Sequence, residues 1–122
     1  MLQKSLAVLI GGFIGGALRE AIELIISVQQ FPVATLIINL IGAFFLGYLN
    51  FMIAKKWAMP TAVATGLTTG VIGAFTTFST FMLDFNHLVT VGHLSFALTY
   101  LIISVMGGLM FARLGMRVGM HA

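Results

Sequence analysis

With 122 residues, 60% of them hydrophobic and only 7% charged, the chain has too little polar surface to clothe a soluble domain, so lipid must solvate most of it. Four spans of roughly 20 residues use about two-thirds of this length, which leaves short loops, no soluble catalytic domain, and a single four-span membrane domain over residues 1–122. The absence of Cys excludes disulfides and thiolate metal ligands, and the six basic residues, spread over span ends, read as topology signals rather than as a nucleic-acid surface.

The first apolar segment, from about Ser5 to Ser27, is too long for a cleaved signal peptide and is expected to stay in the protein. Its GGFIGG stretch sets Gly11 with Gly15, and Gly12 with Gly16, at the four-residue spacing that lets another helix approach closely. Arg19, Glu20 and Glu23 follow. Arg19 and Glu23 are one turn apart and able to pair, and Arg19 either snorkels at the span end or faces a water-filled vestibule.

Phe31-Pro32 marks a boundary, and a second span runs from about Val33 to Ala54. Its two asparagines, Asn39 and Asn50, are three turns apart on one face. Each needs a hydrogen-bond partner in a neighbouring helix or else offers its amide NH₂ to an anion. Lys55, Lys56 and Trp57 read as an interfacial anchor, and Pro60 opens the third span.

The third span carries the most unusual stretch, GVIGAFTTFSTF, from Gly70 to Phe81. A spanning helix keeps its backbone sealed, whereas glycines followed by Thr-Thr and Ser-Thr supply both a flexible point and hydroxyls for freed backbone groups. The stretch predicts a helix broken at membrane depth, where half-helix ends present N–H groups to anions and carbonyls to cations. Upstream, Thr61, Thr65, Thr68 and Thr69 form a threonine face read as interhelical glue, and Gly66 and Gly70 are spaced for close packing. Phe78 and Phe81 are one turn apart, so both rings can line one side. Asp84, His87 and His93 read as solvated connector residues. A fourth span, from about Leu94 to Gly115, sets Tyr100 and Ser104 on one face, continued by Gly107 and Gly108, before a basic tail of Arg113, Arg117 and His121. No nucleophile–base pair or metal-ligand cluster stands out, so the chain does not read as an enzyme.

Gly73 followed by TTFSTF, with NLIGAFFLG in the second span and GALR in the first, resembles the Fluc (CrcB-type) fluoride channels across all four spans. The resemblance implies an all-α membrane protein: an antiparallel dimer with the third helix broken near the midplane, two narrow fluoride pores, and a structural sodium ion at the dimer centre. It implies a fluoride pathway along Asn39, Phe78, Phe81, Ser79, Thr80, Tyr100 and Ser104, a vestibule at Arg19, and sodium held by the backbone carbonyls of Gly73 and Thr76. Gly108 stands where some members of that family have serine, so the far end of the polar track is left open. The implied role is passive export of fluoride through a bacterial cell membrane. The residues are compatible with it: hydroxyls and an amide can replace fluoride's water, and ring edges carry positive potential toward an anion.

A rival reading is a small four-span proton-coupled multidrug exporter, which needs a carboxylate deep in the first span; Glu20 and Glu23 are the candidates. Another is a non-transporting membrane assembly protein, for which glycine seams suffice. Four spans put the termini and the Lys55-Lys56 loop on one side, with Lys4, Arg113 and Arg117, against only Arg19 near the other. The positive-inside rule then favours one orientation. An antiparallel homodimer needs dual topology, so the bias leaves open a heterodimer with a related subunit.

Overall fold

The computed structural model describes residues 1–26 and 32–121. Four stretches are long and apolar enough to cross a membrane: α1 (Leu2–Ile25), α2 (Val33–Lys55), a third made of several pieces (Thr61–Thr90), and a last long helix (Leu94–Met120). Ser27 and Phe31, at the expected first boundary, lie outside the described residues. Pro32 and Pro60 stand immediately before the helices that follow them, where a missing backbone N–H costs no intrahelical bond.

The third span is composite. It begins as α3 (Thr61–Thr65), widens into a π-helical stretch (Gly66–Ile72), and returns to one short turn, α4 (Gly73–Phe75). At Thr76 the backbone becomes extended (φ −79°, ψ 158°), residues 76–78 are not helical, and α5 (Ser79–Thr90) resumes. The expected interruption thus falls inside the TTFSTF motif.

The interruption also corrects the far end of this span. At about 1.5 Å per residue, the fifteen residues before the break and the twelve of α5 supply roughly 22 and 18 Å of helix. Asp84 and His87 are therefore helical, and the connector shrinks to Val91, Gly92 and His93. Gly92, with φ +87°, closes α5: its N–H reaches Val89 O (3.2 Å) while that of His93 reaches Leu88 O (2.8 Å), the paired bonds of a left-handed helix stop. The last helix, α6 (Leu94–Met120), runs past Gly115, so Arg113 and Arg117 belong to its final turns and not to a tail. Cations there are favoured by the C-terminal end of the helix dipole.

Two glycine seams assemble the four spans. Along α1, Gly11 and Gly15 are buried against residues 66–75; a Cβ on Gly11 would strike the Gly66 carbonyl, and one on Gly15 the Val71 carbonyl. The opposing Gly66 and Gly70 lie against Ala7, Val8 and Gly11, where an added Cβ would come within 3.0 and 2.9 Å of their nearest atoms. Gly12 and Gly16, by contrast, meet nothing within 4 Å of an added Cβ among the described residues, so of these two pairs Gly11–Gly15 alone makes a seam among those residues. The second seam joins α2 to α6, where Gly47 lies on the Ala112 carbonyl and Gly115 on that of Phe44. On the expected threonine face, Thr65 and Thr68 donate their hydroxyls to the carbonyls of Thr61 and Ala64, four residues back on their own helix, rather than to a neighbouring helix.

Candidate functional site

Breaking a helix inside a bilayer strands peptide groups that must find partners. Two side chains from two other helices meet this demand. Asn39, on α2, closes a reciprocal pair with the Thr77 backbone: its Nδ2 donates to Thr77 O (3.0 Å) and its Oδ1 accepts from Thr77 N–H (2.9 Å). Arg19, on α1, donates from Nε to Ala74 O (3.2 Å), a carbonyl at the end of the first half-helix, where a positive charge also meets the negative dipole end. Its guanidinium lies 3.5 Å from Glu23, as the one-turn spacing anticipates, and both side chains are half-buried.

Further hydrogen bonds order the break itself. Thr77 Oγ1 accepts from Thr80 N–H (3.2 Å) and shares a hydroxyl contact with Ser79 (3.4 Å), starting α5. Because the amides of Thr77 and Thr80 are engaged in this way, the carbonyls of Gly73 and Thr76 forgo the donors four residues ahead that a continuous helix would give them. Gly73 is exposed, and a Cβ added there would meet, among the described residues beyond its own turn of helix, nothing nearer than Thr68 O at 4.0 Å.

Beside the break lies a cavity of about 370 Å³ bordered by α2, the interrupted span and α6. Asn39, Thr76, Thr77 and Ser104 are its polar wall, with Phe78, Phe81, Gly42, Ala43, Leu46, Ile72 and Val105 completing it. None of these residues is charged. Ser104 Oγ is buried and, among the described residues, has no hydrogen-bond partner, so it holds an unspent donor at the cavity wall. Asn39 keeps one amide N–H beyond those given to Thr77. The Phe78 and Phe81 rings stack with centroids 5.8 Å apart and planes at 27°, but their surroundings differ: Phe81 is 7% exposed and Phe78 75%.

Other expected pathway residues stand off this cavity. Tyr100 is fully buried, with its ring 4.9 Å from Phe81 and its hydroxyl donating toward Asp84 Oδ2 at 3.4 Å. Ser79 is exposed, and neither it nor Thr80 borders the cavity. Asn50 is exposed near the end of α2 and lies off it as well. Among the described residues no group of three or more His, Asp or Glu comes together as metal ligands, and His87 and His93 are exposed. Two participants escaped the sequence reading: Thr77, whose backbone is the object of the Asn39 clamp, and Asp84, placed in a loop but facing Tyr100 from within α5. Counting the helical period onward from Phe81 puts Asp84 one turn further along α5, a signal that could have found it; Thr77 carries no such signal.

Residues 6–116 match the family described as CrcB-like protein, Camphor Resistance (CrcB). The chain belongs to the CrcB family. It is 42% identical over 113 residues to the protein named fluoride-specific ion channel FluC 1 of Bacillus cereus, covering 90% of this chain and 78% of that one. The FluC 2 channel of Listeria innocua is 40% identical over 106 residues, 87% of this chain and 82% of its own. The FluC 1 channel of Bacillus thuringiensis is 39% identical over 123 residues, covering 97% and 90% of the two chains. Such coverage places the helix break, both glycine seams and the CrcB cavity inside one continuous region of similarity.

Proposed function

We propose that the chain is the subunit of a fluoride-specific channel, a multi-pass protein of the cell membrane that lets fluoride leave the cytoplasm passively. The observation that carries this reading is the uncharged cavity at the break, where the unspent donors of Ser104 and Asn39 meet a pair of phenyl rings. Fluoride is small and strongly hydrated, so a path must replace its water with donors yet hold it weakly enough to release it. Ring edges add positive potential without a fixed charge and offer nothing to a cation in the same position. Ser79, Thr80 and Tyr100 continue the proposed path along α5 and α6, and Arg19 lends positive charge to its vestibule. The relatives named fluoride-specific ion channels supply the identity of the ion. No observation favours the drug-exporter alternative: of its two candidate carboxylates, Glu23 is paired with Arg19 and Glu20 is exposed. Growth on fluoride medium tests the proposal: expression in a bacterium lacking its own fluoride export should restore growth, and failure to do so despite membrane insertion would overturn it.

The working unit in this reading is an antiparallel dimer. Phe78, Gly73 and the Gly12–Gly16 strip are uncovered in the single chain, and a second copy is the natural cover for them. Dual topology conflicts with the bias of basic residues, which a heterodimer of two oppositely inserted related subunits would resolve. We expect the homodimer. Single cysteines at Lys56→Cys and His121→Cys, in a chain with no native cysteine, report the orientation. Treated as intact cells with a membrane-impermeant thiol reagent, about half of the chains should label at both positions; protection of nearly all would replace the homodimer with a two-subunit channel.

At the dimer centre the carbonyls of Gly73 and Thr76, whose usual helical donors Thr77 N–H and Thr80 N–H are engaged elsewhere, would suit a structural sodium ion, because a hard cation favours oxygen ligands and two copies would furnish four. The ion would tie the two breaks together; it takes no part in moving fluoride. Replacing sodium with a bulky organic cation should lower the thermal stability and activity of the purified protein, and Thr76→Val should be mild because only its main chain is involved. Indifference of both stability and activity to the exchange would remove sodium from the account.

A further inference from the structure

We propose that Asp84 is a positioning residue for the Phe81 ring and acts on it through Tyr100. A carboxylate within a span is costly unless it has a partner. Asp84 is half-buried, one turn beyond Phe81 on α5, and its Oδ2 accepts from the Tyr100 hydroxyl on α6 at 3.4 Å. Tyr100 is entirely buried, and its ring rests against Phe81 with centroids 4.9 Å apart and planes at 37°. On its other side Phe81 stacks against Phe78. The Phe81 ring is therefore held between two aromatic neighbours, and the inner one is fixed at its far end by Asp84. An anion met at a ring edge is sensitive to the rotation of that ring, because the sign of the ring's potential reverses between edge and face. A carboxylate that never touches the ion thereby sets how the ion is met. The pairing also turns Asp84's acceptor toward a donor, so that this oxygen is engaged where it would otherwise repel the passing anion.

This inference rests on reading the Phe78–Phe81 pair as the border of the fluoride path, and the experiment separates the two. Fluoride efflux is measured from liposomes carrying the full-length chain as Asp84→Ala, Asp84→Asn, Tyr100→Phe, the Asp84→Ala/Tyr100→Phe double variant, and Phe81→Ile. Asp84→Ala and Tyr100→Phe should each slow efflux by about threefold to tenfold, within the range that an interhelical hydrogen bond in a membrane protein can carry. The double variant should be no slower than Tyr100→Phe alone, because Asp84 acts on the ring only through that hydroxyl. Asp84→Asn keeps a carbonyl acceptor and should restore most of the rate, with thermal stability checked for every variant. Efflux at the unmodified rate in Asp84→Ala, losses that multiply in the double variant, or an Asp84→Asn as slow as Asp84→Ala would each overturn the positioning role. Unmodified efflux in Phe81→Ile would instead sink the ring reading itself.

Discussion

Replacing either ring of the stacked pair, Phe78→Ile or Phe81→Ile, should leave the protein folded and slow fluoride flux by on the order of tenfold or more. Isoleucine keeps apolar volume but has no polarised edge. A dehydrated anion that loses a partner suffers a penalty of about 1–3 kcal/mol or more, and 1.4 kcal/mol is already tenfold. The two positions should respond differently in stability. Phe81 is 7% exposed and packed between Phe78 and Tyr100, so its replacement also removes core contacts; Phe78 is 75% exposed in the single chain, so its loss removes far fewer contacts within the chain and should lower the melting temperature less. Fluoride efflux and a thermal melt of each variant separate these effects. Normal efflux in both variants would take the rings out of the mechanism.

Asn39→Ala is expected to be more damaging, because one side chain serves two purposes. Its amide holds both peptide groups of Thr77 and still presents an N–H to the cavity. Truncation leaves the part-buried N–H and C=O of Thr77 without their partner, at a cost of up to about 1–3 kcal/mol each, and removes a donor from the proposed path. Flux should fall on the order of a hundredfold, with a lower melting temperature. Asn39→Asp retains an acceptor for Thr77 N–H but places a carboxylate beside the proposed anion path, so it should also block flux. Wild-type efflux in Asn39→Ala would reduce the residue to an ordinary interhelical contact.

Much of this arrangement is visible in the amino-acid sequence. The number of spans follows from composition, and the Gly11–Gly15 seam from a four-residue spacing that only a helix brings onto one face. The break follows from glycine and hydroxyl residues in the middle of an apolar run. What the sequence conceals depends on where the break falls. Asn39 demands a partner wherever it lies, but only an interrupted helix at Thr77 frees a peptide group for it to clamp. Asp84 looks like a loop residue if the third span is counted as one uninterrupted helix, because the restart at Ser79 adds twelve residues of helix beyond the break. Gly115 and Gly119 have the same spacing as Gly11 and Gly15, yet they alternate with Arg113 and Arg117 and so resemble a solvated tail; both are buried against α2. Tyr100 and Ser104 share a helix face as their spacing requires. They nevertheless part company, one to the core beneath Phe81 and the other to the cavity, because the face is wide enough to meet two different neighbours.

The most direct measurement of the central claim is fluoride efflux from liposomes reconstituted with the purified chain alone, loaded with potassium fluoride and made permeable to potassium so that charge can balance. Rapid fluoride release is expected on addition of the potassium carrier, with no comparable release from chloride-loaded liposomes. Absence of fluoride release from liposomes shown to contain folded protein, or release of chloride at the same rate, would contradict it.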